Sequence, residues 1–137
     1  MVRRSLNETL AFAKDLAPTL KSGSIVCFFG PLGAGKTTMI KTMIHALTAT
    51  PIDQITSPTF NYVNSYGHIH HFDLYRLQNA KQFHALGFEE YFAPDSICLI
   101  EWSERIEPMI PSHAQRIHIS IVSENERSIE YETPVFF

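Results

Sequence analysis

Gly30-Pro31-Leu32-Gly33-Ala34-Gly35-Lys36-Thr37 fits G-x-x-x-x-G-K-[ST], a phosphate-binding loop. Its glycines let successive backbone N–H groups turn inward around phosphate oxygens, and a helix starting there adds the positive end of its dipole. Lys36 would reach the β- and γ-phosphates, and the Thr37 hydroxyl would bind Mg²⁺. Hydrolysis or transfer also needs a metal-holding acid, which normally ends a hydrophobic strand beside the loop's own strand. Glu101 closes Ile97-Cys98-Leu99-Ile100, the more apolar strand. Asp73 closes Ile69-His70-His71-Phe72, a more polar strand, but is the more usual residue. Both stay candidates, against the plainer role of a strand-end carboxylate capping a helix or pairing with an arginine.

Three further residues could take part. Thr59, in Ser57-Pro58-Thr59-Phe60, lies where many such proteins sense the γ-phosphate through a hydroxyl. An ordinary turn opening a strand explains it as well. Arg76, three residues after Asp73, could contact phosphate or form a structural ion pair. Trp102, the only tryptophan, could stack on a substrate or partner or simply pack at the rim. His68, His70 and His71 have no further His or Cys at ligand spacing, so strand-edge histidines with one hydrogen-bonding role are expected rather than a zinc centre.

Absent motifs narrow the chemistry. There is no N-K-x-D and no D-x-x-G, the guanine-reading and switch signatures of a GTPase. Arginines stand only at positions 3, 4, 76, 105, 116 and 127, so the stretch after the loop's helix lacks the Arg-rich lid of small-molecule kinases. Charge stabilisation would then come from a partner. A small-molecule kinase using the same loop is the alternative, and a nucleotide-sensing module without turnover is a third reading.

The elements around these residues follow from spacing. Ser5-Leu6-Asn7-Glu8 forms a capping box, and Leu6, Leu10, Ala13, Leu16, Ala17 and Leu20 predict a helix to about Lys21. Ser24–Phe29 is the strand before the loop, and Thr37–Leu47 has helical spacing to about Thr48. Alternation predicts a strand over Thr59–Tyr66, paired through Gly67 with a second over His68–Leu74. Gln78–Leu86 reads as a helix stopped by Gly87, Phe88–Phe92 as a shorter one, and Ser96–Ile100 as a strand covered on both faces. A short helical turn, Ser103–Ile106, precedes Pro108. Arg116–Val122, with Ile117, Ile119 and Ile121 on one face, pairs with Ser128–Glu132, with Ile129 and Tyr131 inward.

The fold expected is therefore α/β, with a mixed, partly parallel sheet and antiparallel hairpins, in one domain over residues 1–137. Net charge is −3, which does not favour broad nucleic-acid binding. Cys27 and Cys98 fall in central strands outside any C-x-x-C pair, so buried thiols in a reducing compartment are expected. No apolar run approaches a membrane span, and Arg3-Arg4 leads into no signal-peptide core, so the cytoplasm is the expected compartment.

The ordered set G-P-L-G-A-G-K-T-T (30–38), S-P-T-F (57–60), H-F-D-L-Y-R-L (71–77), L-G-F-E-E-Y (86–91) and I-E-W (100–102) resembles the bacterial TsaE family, formerly YjeE. The likeness covers about residues 5–132 and implies the family's fold, a three-layer P-loop sandwich. It implies a small ATPase of tRNA threonylcarbamoyladenosine biosynthesis that binds ATP and Mg²⁺, with TsaD and TsaB as partners. In that family TsaD, helped by TsaB, transfers the threonylcarbamoyl group to tRNA, and TsaE hydrolyses ATP to reset the complex, meeting tRNA only through it. The resemblance further implies that Leu32, Gly33, Ala34, Gly35, Lys36, Thr37 and Thr38 cradle the phosphates. Glu101 matches the metal-site acid, with Thr37 as its co-ligand. Asp73 matches the acid near the nucleotide, Thr59 the switch-like threonine, and Trp102 the tryptophan after the acid. Leu6 and the Glu126-Arg127 turn would border adenine.

Overall fold

Ile25–Phe29 (β2) is apolar at every position, as a strand covered on both faces must be. The computed structural model, which describes residues 1–133, centres β2 in a seven-stranded sheet. The other strands are Val2–Arg3 (β1), Val63–Tyr66 (β3), Ile69–Asp73 (β4), Ile97–Glu101 (β5), Gln115–Ile121 (β6) and Arg127–Glu132 (β7). Their order is β1-β7-β6-β2-β5-β4-β3. β6, β2, β5 and β4 run parallel, while β3, β7 and β1 are antiparallel to their neighbours.

Alternation along β2 divides the core. Val26 and Phe28 pack with Ala13, Met39, Met43 and Leu99 beneath the helices Leu6–Leu16 (α1) and Lys36–Thr48 (α2). Ile25 and Cys27 pack on the other face with Phe72, Phe83, Ile100 and Ile106. That face is covered by the helix Ala80–Ala85 (α3) and the 3₁₀ turns Phe88–Tyr91 and Ser103–Met109. The three-layer α/β sandwich with a mixed sheet is thus the architecture observed. Parallel pairing brings the C-terminal ends of β2, β4 and β5 to one edge, where ligands of open α/β sheets bind.

Local departures from the sequence reading have identifiable causes. Ser5 caps α1 by accepting the Glu8 N–H at 3.2 Å, but α1 stops at Leu16 and a 3₁₀ turn, Ala17–Thr19, carries Pro18. Proline lacks the N–H and crowds the preceding turn, so the helix does not reach Lys21. The strand expected from Thr59 begins only at Val63. Asn61 takes over locally, its Nδ2 donating to the Val63 carbonyl and to Asn64, and Tyr62 sits at φ 69°. Such side-chain bonds compete with a strand ladder. Ile121 and Tyr131 are exposed rather than inward, whereas Ile117, Ile119 and Ile129 are buried. The end of the expected domain, residues 134–137, lies outside the described residues.

Candidate functional site

Gly30 leaves β2 at φ +154°, so close to β6 that a Cβ would stand 2.6 Å from the Ile119 carbonyl oxygen. Only glycine fits there without moving backbone. The loop then runs into α2, whose N-cap is Gly35 at φ 106°. Among the described residues no acceptor takes the N–H of Gly33, Gly35, Lys36, Thr37 or Thr38. Five neighbouring donors without partners, at the positive end of a 13-residue helix, make an anion cradle.

Lys36 is 5% exposed. Its Nζ donates to the Gly30 carbonyl at 2.7 Å and lies 4.0 Å from the centre of the Trp102 ring. It has no ion-pair partner among the described residues. Burial pushes its ammonium below the ordinary lysine value, against the pull of Glu101, Glu104 and Asp73. Trp102 can hold the ring over Lys36 because its backbone turns left-handed, φ 62°, at the end of β5. Tyr75 adds a second ring 5.0 Å from that of Trp102.

Glu101 and Asp73 are cross-strand partners at the ends of β5 and β4. They are not equivalent. Glu101, 2% exposed, accepts the Thr37 hydroxyl on Oε1 at 2.7 Å and meets His71 Nε2 through Oε2 at 2.9 Å. Asp73 is half-buried, and its Oδ1 accepts the Tyr75 N–H at 3.1 Å. Burial pushes the Asp73 carboxyl above its ordinary value; the Tyr75 hydrogen bond opposes this and the Glu101 charge adds to it. A hydroxyl and two carboxylates form a hard oxygen set that suits Mg²⁺, which needs few protein ligands because it keeps its waters.

Two adjoining cavities meet over the loop. One, of about 300 Å³, is lined by Leu32, Gly33, Gly35, Lys36, Thr37, Thr38, Asp73, Tyr75, Glu101 and Trp102. The other, of about 240 Å³, is lined by Leu6, Thr9, Leu10, Gly33, Ala34, Gly35, Thr38, Glu124, Asn125 and Arg127. Arg127 joins hairpin to loop: Nε donates to the Ala34 carbonyl at 3.0 Å, and Nη1 to the Ser123 and Glu126 carbonyls at 2.9 Å each. A larger cavity of about 630 Å³, lined by Gly23, Pro94 and His113, contains none of the motif residues.

Thr59 stands apart. It is exposed and lines neither cavity. Arg76 is exposed too, its guanidinium stacked 4.7 Å over the ring of Phe60, which is 79% exposed. His70 and His71 lie on β4, an interior strand rather than an edge, while His68 is exposed just before it. His70 is buried between Ser65 and Ser96, and His71 is 0% exposed against Glu101. His71 was expected only as a strand histidine with one hydrogen-bonding role, and Tyr75, Thr9, Leu10 and Asn125 were given no site role from the sequence. His71 shares a strand face with Asp73 two residues on, a signal that needed the β4–β5 register to be read.

No described helix is long and apolar enough to cross a membrane. The family model for the threonylcarbamoyl adenosine biosynthesis protein TsaE matches residues 3–129. The tRNA threonylcarbamoyladenosine biosynthesis protein TsaE of Bacillus subtilis is 36% identical over 128 residues, covering 90% of this chain and 78% of that protein. The protein of the same name from Treponema pallidum is 32% identical over 131 residues, covering 93% and 96%. The crystal structure of YdiB from Bacillus subtilis superposes with a TM-score of 0.78 at 31% identity, covering 98% of this chain and 84% of that one.

Proposed function

The chain belongs to the TsaE family of tRNA threonylcarbamoyladenosine biosynthesis, and from that premise we propose that it binds and hydrolyses ATP with Mg²⁺, as an accessory of the TsaD–TsaB transferase. The observation that carries this reading is the Thr37–Glu101 hydrogen bond of 2.7 Å beside five unpartnered loop N–H groups. It puts a metal-type hydroxyl–carboxylate pair within the phosphate cradle.

Each residue then has a task. The N–H groups of Gly33, Gly35, Lys36, Thr37 and Thr38 bind phosphate oxygens. Lys36 exchanges the Gly30 carbonyl and the Trp102 face for the outer phosphates. Thr37 and Glu101 would hold Mg²⁺, which would neutralise phosphate charge. Asp73, which lines the same cavity, would orient the attacking water. Leu6, Ala34 and Arg127 border the base. Thr59 senses the γ-phosphate only after the Ser57–Phe60 loop moves inward, since it lies outside the cavity. Arg76 is engaged with Phe60, so transition-state charge is met by a partner group. The net charge of −3 suits a protein that acts on a protein complex and reaches tRNA through it. Cytoplasmic residence is supported by the two buried free thiols.

The test is phosphate release by the purified chain, alone and with TsaD–TsaB. Weak turnover alone and faster turnover with the pair are expected. Lys36→Ala and Glu101→Ala should abolish release, with Glu101→Ala still binding nucleotide. The proposal falls if TsaD–TsaB modifies tRNA through many turnovers and this chain changes nothing. A phosphorylated small molecule in place of free phosphate would identify a kinase instead.

A further inference from the structure

Glu101 is held at both oxygens, and only one holder belongs to the phosphate loop. Oε1 accepts from Thr37, and Oε2 faces His71 Nε2 at 2.9 Å. A carboxylate only accepts, so the proton between them belongs to Nε2. The ring is 0% exposed, and its Nδ1 has no partner among the described residues.

We infer that His71 is a positioning residue for Glu101: its Nε2–H holds Oε2 and so presents Oε1 to Thr37 and the metal. This rests on the Mg²⁺–ATP reading of the site. Without His71, the Thr37 hydroxyl is the remaining hydrogen-bond partner of the Glu101 carboxylate among the described residues, and Oε2 competes with Oε1 for it. His71 is on β4 and Glu101 on β5, so the bond ties the Glu101 side chain to the neighbouring strand, whose ladder already pairs Asp73 with Glu101. Loss of a partner that orients a metal-site ligand lowers metal affinity. His71 touches neither cavity and so does not meet nucleotide directly.

The variants are His71→Leu, which fills the volume without a donor, and His71→Gln, whose amide restores one. Titrating Mg²⁺ at fixed ATP, followed by the fluorescence of the only tryptophan, gives the half-saturating Mg²⁺ concentration. ADP affinity in chelator gives binding without metal. His71→Leu should raise the Mg²⁺ requirement about 10–100-fold and leave metal-free ADP affinity within about twofold. His71→Gln should recover most of the loss. An unchanged Mg²⁺ requirement in His71→Leu overturns the inference. So does equal loss of metal-free binding in both variants, which marks a merely structural role. Failure of the wild type to bind ATP refutes the functional reading instead. The positioning bond is then tested by nitrogen NMR, where a proton on Nδ1 rather than Nε2 overturns it.

Discussion

Arg127→Ala should separate base binding from phosphate binding. In the folded chain the guanidinium makes three hydrogen bonds of 3.0 Å or shorter, one to the loop at Ala34 and two within the hairpin turn at Ser123 and Glu126. Hydrogen bonds to a charged group are worth about 1.5–3 kcal/mol each when buried. Arg127 is half-buried, so water replaces much of this, and a net cost of about 2 kcal/mol is expected. For a domain of this size that lowers Tm by roughly 6–10 °C. The functional effect should be selective. The turn forms one wall of the 240 Å³ cavity, while the loop N–H groups are held by β2 and α2. ATP affinity should fall about tenfold, a loss of about 1.4 kcal/mol, with tripolyphosphate affinity nearly unchanged. Arg127→Lys should resemble alanine, because one ammonium cannot span both sides. Calorimetric titration with ATP and tripolyphosphate, alongside thermal melts, measures both effects. Equal loss for the two ligands would refute the division between base wall and phosphate loop. An unchanged Tm would refute the clip itself.

Other outcomes follow from single contacts. Gly30→Ala forces a Cβ to within 2.6 Å of a backbone oxygen at φ +154°, so it should cost about 2 kcal/mol in chemical denaturation; a neutral result would mean β6 can yield. Asp73→Asn should raise the Tm of the nucleotide-free protein at pH 7. Burial raises the Asp73 carboxyl above 3.8, so the folded state holds that proton more tightly than the unfolded chain. Stability then falls as pH climbs from the unfolded value through the folded one, and the asparagine variant should lack this slope in melts across that range. Burial pushes the Cys27 and Cys98 thiols up to about 11 and about 12, so a disulfide reagent at pH 8 should label neither until the chain is unfolded. Labelling of the native protein at the unfolded rate would refute their burial.

The strand, glycine loop and helix over residues 25–48 were legible because the strand and helix carry strong periodicity and the glycines mark the turn between them. The carboxylate choice was not. Glu101 and Asp73 both end strands, and only the arrangement of β5 between β2 and β4 shows that Glu101 is the one facing Thr37. Leu6 and Arg127, implied by resemblance alone, do meet in one cavity, since the β6–β7 hairpin folds beside α1. The strand predicted from Thr59 failed because alternation persisted where Asn61 had already bonded its own neighbours. His71 was visible as a residue but not as a partner, since a hydrogen bond across two strands has no trace in local spacing.

The strand order has a consequence for how the chain is made. β2 is synthesised early, yet Ile25 pairs with Cys98 and Val26 with Gln115. On the ribosome the strand that launches the phosphate loop therefore waits with both edges unsatisfied until β5 and then β6 emerge. Open, apolar strand edges recruit other chains. A nascent chain stalled before residue 115 should consequently depend on chaperones, because it carries the complete phosphate-loop motif with one flank of its founding strand still bare.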